Sequence, residues 1–125
     1  MKTLERTRLL ASHEEIHARD RRAWVAGYDV TTIADTRARS RVSVAGVLHS
    51  VTYAPQGSTT SLRAELFDGT GSLDLVWTGR REIAGIVPGR RVLATGMVAR
   101  NEPGRPRLVI HNPGYDLLPT EAEAS

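Results

Sequence analysis

His13-Glu14-Glu15-Ile16-His17 matches H-E-x-x-H. In that spacing two histidines one helical turn apart bind zinc, and the intervening glutamate activates water. The same stretch contains Ser12-His13-Glu14-Glu15, a capping box: the Ser12 hydroxyl accepts the Glu15 amide and Glu15 reaches back to the Ser12 amide. His13 then stands in the frayed first turn of a short polar helix, with only residues 1–11 ahead of it. A zinc hydrolase needs that helix buried under a cleft, a third ligand and a supporting layer of hydrogen bonds. Asp29, Asp35 and His49 are conceivable third ligands, but nothing around them favours the choice. The motif is read as a helix start, with zinc hydrolysis kept as an alternative. Other reactive constellations are missing. No glycine run is followed by lysine, there is no G-x-S-x-G elbow, and the absence of cysteine removes thiol chemistry and cysteine-ligated zinc. Asp68 and Asp74 flank a hairpin and read as turn and solubility residues rather than a catalytic carboxylate pair. No enzymatic activity, cofactor or metal is expected.

The elements around these residues change character along the chain. A helix is predicted over about 13–25, with Ile16, Ala23 and Trp24 as a narrow apolar stripe and Gly27 as its stop. Val30 to Thr36 is a connector, with Ile33 as its apolar anchor. From Arg41 the apolar period becomes two. Val42, Val44, Leu48 and Val51 make a first strand bent or bulged at Gly46, and Ala54 to Ser58 a loop. Leu62, Ala64 and Leu66 make a second strand, joined through Asp68-Gly69-Thr70-Gly71 to a third with Leu73, Leu75 and Trp77. Gly79 to Val87 breaks the alternation, and Ile83 with Ile86 suits a helical turn capping one end. Pro88-Gly89 launches a fourth strand (Val92, Ala94, Gly96, Val98), and a loop from Asn101 to Pro106 leads to a fifth (Leu108, Ile110).

The expectation is an all-β fold: a five-stranded OB-type barrel over 36–117, an N-terminal helical arm and connector over 1–35, and a flexible acidic tail over 118–125. An SH3-like barrel is the alternative. Between residues 36 and 115 there are eleven arginines against five acids, and the remainder of the chain is net acidic. A basic barrel with acidic flanks suits a polyanionic partner, although charge also serves solubility. The lack of cysteine fits a reducing cytoplasm, and no apolar run is long enough for a membrane span. The protein is therefore read as soluble, cytoplasmic and without a membrane partner.

Several segments carry a family resemblance: 41–48 (RVSVAGVL), 67–71 (FDGTG), 75–77 (LVW), 87–92 (VPGRRV) and 112–115 (NPGY). In their order and spacing they resemble OB-fold nucleic-acid-binding proteins. More narrowly, they resemble small actinobacterial proteins whose barrel is similar to the wedge domain of the RecG branch-migration helicase. The resemblance covers about residues 33–117 and implies single-stranded or branched DNA as the ligand. The chain has no helicase motor motif, which leaves a binding module or an accessory to a separate DNA repair or recombination machine.

OB barrels grip single strands with the face of strands two and three and with the loops joining strands one to two and four to five. Phe67, in phase with Arg63 and Glu65, is the foremost stacking candidate, the alternative being that it covers a gap under the arm. Tyr53, at the mouth of the first loop, suits stacking or loop stapling equally. Trp77 is in phase with the core, and His49 is out of phase with it. Arg100, Arg105 and Arg107 flank the loop between strands four and five and rank first among the arginines. Arg80 and Arg81 follow strand three, while Arg90 and Arg91 read as a solvated turn. Arg37, Arg39 and Arg41 alternate ahead of strand one, as phosphate contacts or as an edge-strand guard. A protein-interaction module using the same barrel is the alternative function, since fold alone does not choose between the two.

Overall fold

The computed structural model describes residues 19, 22–56, 59–100 and 107–120, apart from the side chains of 54–56. The elements in chain order are a 3-10 turn η1 (Ile33–Asp35), β1 (Arg41–Gln56), β2 (Thr59–Phe67), β3 (Ser72–Thr78), β4 (Arg91–Ala99), β5 (Val109–His111) and β6 (Gly114–Leu117). One sheet runs β1-β2-β3-β5-β4-β6, and a further β1–β4 pairing closes five of the strands into a ring.

Closure depends on β1, which is long enough to pair with two neighbours. Residues 41–47 run antiparallel to β4 and residues 47–56 antiparallel to β2. The strand must turn sharply between these halves, and glycine is required where it does. A Cβ on Gly46 would lie 2.5 Å from the Phe67 carbonyl oxygen and 2.9 Å from its carbon. The bulge expected at Gly46 instead falls on His49, between the pairs Leu48–Leu66 and Ser50–Glu65. Residues 54–56, expected as loop, continue β1 as far as a Gln56–Thr59 pair.

Alternation decides the interior. Leu62, Ala64 and Leu66 of β2, Leu73, Leu75 and Trp77 of β3, and Val92, Ala94 and Val98 of β4 form one buried cluster with Val44, Leu48 and Ile110. Ile33 joins it from the connector, and so do Ile83 and Ile86 from a turn closed by the Ile86 amide on the Ile83 carbonyl. Trp77 is core, in keeping with its phase, and its indole Nε1 donates to the Pro113 carbonyl at 3.2 Å.

The fold has six strands where five are expected. Asn112 takes a left-handed conformation (φ 51°) and Pro113 has no amide to donate, so the closing segment is interrupted into β5 and β6. Both halves lie along the same edge of β4. The interruption is tied back by the Asn112 amide on the Val76 carbonyl and by the Thr78 amide on the Asn112 side chain.

Of the helix expected over 13–25, residues 22–25 are helical and end at Gly27; the capping box and the H-E-x-x-H motif lie outside the described residues. The helix end packs on its own ring, where Val25, Ala45 and Leu118 form a second buried cluster joined by Trp24, Val30 and Leu93. Leu118, at the head of the expected tail, is thus buried. Among the described residues no helix is long and apolar enough to cross a membrane.

Candidate nucleic-acid interface

Directly opposed residues of antiparallel strands share a face, so the register sorts the candidate side chains. On the outer face of β2 and β3, Glu65 stands opposite Asp74 and Arg63 one rung away. Asp74 is almost wholly buried there. Its Oδ2 accepts from Arg63 Nη1 at 2.9 Å and its Oδ1 from Arg107 Nη1 at 3.3 Å. Arg107 also meets Glu65 at 3.0 Å. The side chains of Arg63 and Asp74 are only 17% and 3% exposed, so solvent screens this pair little. Among the described residues two arginines and two carboxylates meet here, which seats Arg107 on the β2–β3 face. Asp74 is therefore a structural ligand and not a solubility residue.

Phe67 lies on the same outer face, half-buried, with its ring 4.6 Å from that of His49 and tilted by 33°. The bulge brings His49 there, because an unpaired residue is displaced from the regular alternation. Tyr53 belongs to the other face, since it pairs with the inward Leu62. It is 40% exposed, with the Arg81 guanidinium 5.3 Å from its ring centre. Arg80 and Arg100 are exposed. Arg105 lies outside the described residues.

The described candidates are thus not one surface: Arg63, Phe67 and Arg107 share the β2–β3 face, and Tyr53 and Arg81 form a cation–π pair on the opposite face of the β1–β2 hairpin.

Asp68 does more than form a turn: it is 1% exposed and binds two segments at once. Its Oδ1 accepts from the Thr70 amide, the Thr70 hydroxyl and the Gly71 amide at 2.8, 2.6 and 3.2 Å. Its Oδ2 accepts from the Ile33 amide at 2.8 Å, capping η1 from a distant part of the chain. Arg90 and Arg91 are half-buried rather than a solvated turn. The Arg91 guanidinium lies 4.6 Å from the Trp24 ring centre, and Arg90 Nε is buried with no hydrogen-bond partner among the described residues. Arg37 to Arg41 do not form an extended row either, because a turn at 37–40 breaks it.

Comparison with protein-family models and with curated proteins gives no match. Among solved structures, the chain is similar to RecG in the structure of RecG bound to a three-way DNA junction, with a TM-score of 0.56 and 24% sequence identity. The alignment covers 76% of this chain and 14% of that one, so the likeness is to a small part of RecG and is a likeness of fold.

Proposed function

We propose that the protein is a non-catalytic nucleic-acid-binding module built on an OB-type barrel. Its ligand is single-stranded or branched DNA, and it acts alone or as an accessory to a DNA repair or recombination machine. The observation that carries this reading is the ring itself: a long β1 shared by β2 and β4, with β5 parallel to β3 completing closure. We read that strand arrangement as the OB one, whose groove and loops commonly hold single strands. The similar structure is of a protein on a DNA junction, and the ring segment of this chain has an excess of arginine over acid. These features support the same ligand class without specifying its shape.

Fluorescence anisotropy with labelled single-stranded, duplex and three-way-junction DNA tests the proposal. Binding is expected at 50 mM salt. On single strands it should weaken with a log–log salt slope of about −2 to −3, corresponding to about −0.7 for each of a few phosphates. Absence of binding to all three shapes at 50 mM salt refutes it.

A further inference from the structure

The start of β1 and the end of β4 meet at a corner that gathers arginines from two distant parts of the chain. Arg41 lies directly opposite Met97. The next rung is Ser43–Thr95, whose hydroxyls hydrogen-bond at 3.0 Å. Beyond it, Ala45 and Leu93 are covered by Val25 and Leu118. One end of this outer face is therefore closed by apolar packing and the other is left open, with Met97 52% exposed.

Arg37, Arg39 and Arg100 border the open end. The Arg39 amide donates to the Val98 carbonyl at 2.7 Å and the Val98 amide to the Ser40 carbonyl at 2.9 Å, which fastens the turn before β1 across the end of β4. Arg39 holds a left-handed conformation (φ 70°), uncommon for a residue other than glycine. Arg100 follows Val98 by two residues. All four arginines are exposed, and none of their guanidinium groups meets a carboxylate among the described residues. The β2–β3 face is the reverse case, since Arg63 and Arg107 are balanced there by Asp74 and Glu65.

We infer that this corner is where the protein grips the phosphodiester backbone of its nucleic acid, an inference that rests on the binding function proposed above. Exposed cations gathered at one corner form an electrostatic footprint for a polyanion, which binds there by displacing condensed counterions. Arg39, Arg41 and Arg100 take the phosphates, with Arg37 at the margin. Met97, an exposed unbranched apolar side chain opposite Arg41, packs against the sugar and base edge. The cluster on the β2–β3 face seats Arg107, and the corner supplies the charge.

The test compares the full chain with Arg39→Gln/Arg41→Gln/Arg100→Gln and with Arg19→Gln/Arg22→Gln as a control at the exposed helix end. The probe is the DNA shape the unmodified protein binds best. The corner variant is expected to bind at least tenfold more weakly at 50 mM salt, with a salt slope on single strands shallower by about 0.7 for each phosphate it no longer engages. The control should change binding less than threefold. Met97→Glu, which places an anion opposite Arg41 on the outer face, should weaken binding with no change in melting temperature, and it decides the matter should the triple variant fail to fold. If the unmodified protein binds DNA while the corner variant and Met97→Glu bind within twofold of it, the corner is refuted and the binding function stands. If the unmodified protein binds no DNA, both fall.

Discussion

Replacing Asp68 with alanine removes four hydrogen bonds at a point where two segments 35 residues apart are joined. Each bond to an ionised acceptor is worth about 1.5–3 kcal/mol net, and the contributions do not simply add. The Thr70 and Gly71 donors are half-exposed and can turn to water. The Ile33 amide cannot do so freely, because its residue is buried in the ring cluster beside Gly71. A loss of about 3–4 kcal/mol follows, a large share of the roughly 5–15 kcal/mol that holds a typical domain together. For a chain of this size that is a fall of roughly 10–20 °C in melting temperature. Asp68→Asn keeps one acceptor oxygen but presents an amide NH2 to a donor, so about half of that loss is expected. Urea unfolding followed by tryptophan fluorescence is the assay, because the two tryptophans report different places: Trp77 in the ring core and Trp24 on the outer cluster. A midpoint for Asp68→Ala corresponding to less than about 1 kcal/mol of destabilisation would refute the clamp. So would an Asp68→Asn protein as unstable as the alanine variant.

Three further substitutions test other parts of the reasoning. Gly46→Ala forces a Cβ into the Phe67 carbonyl and should cost about 2 kcal/mol or more by thermal or urea unfolding; a neutral result would mean that β1 can shift its crossing point. Asp74→Ala removes the carboxylate that both Arg63 and Arg107 meet and should destabilise by about 3 kcal/mol; unchanged stability would dispose of that cluster as a structural element. Phe67→Ala should weaken DNA binding by about 1–3 kcal/mol if its ring stacks on a base. An unfolding loss above about 2 kcal/mol with binding intact would assign the ring to packing with His49 instead.

Much of the ring is legible in the sequence, because a period of two needs only local information. The inward residues of β2, β3 and β4 lie where their alternation puts them, and Trp77 follows Leu73 and Leu75 into the core. Ile33, expected as the connector's anchor, and Ile83 and Ile86, expected to cap one end, are all buried. The charge excess of the ring segment is equally a matter of composition.

Tertiary structure decides what each outward residue meets. Glu65 and Asp74 alternate outward like any solubility residue, and only the pairing register, with Arg107 folding back from beyond β4, makes them a cluster. Asp68 has ordinary turn chemistry in sequence, and its bond to Ile33 depends on where the connector crosses the hairpin. The break at Asn112–Pro113 splits a strand in two because both halves find the same edge of β4. The arginines show the division most plainly. Period and composition can count them, but the turn carrying Arg39 meets the end of β4 only because β1 and β4 pair, and Arg63 and Arg107 meet Asp74 only through the β2–β3 register. Charge balance at a surface is a property of through-space neighbours, which a linear pattern does not contain.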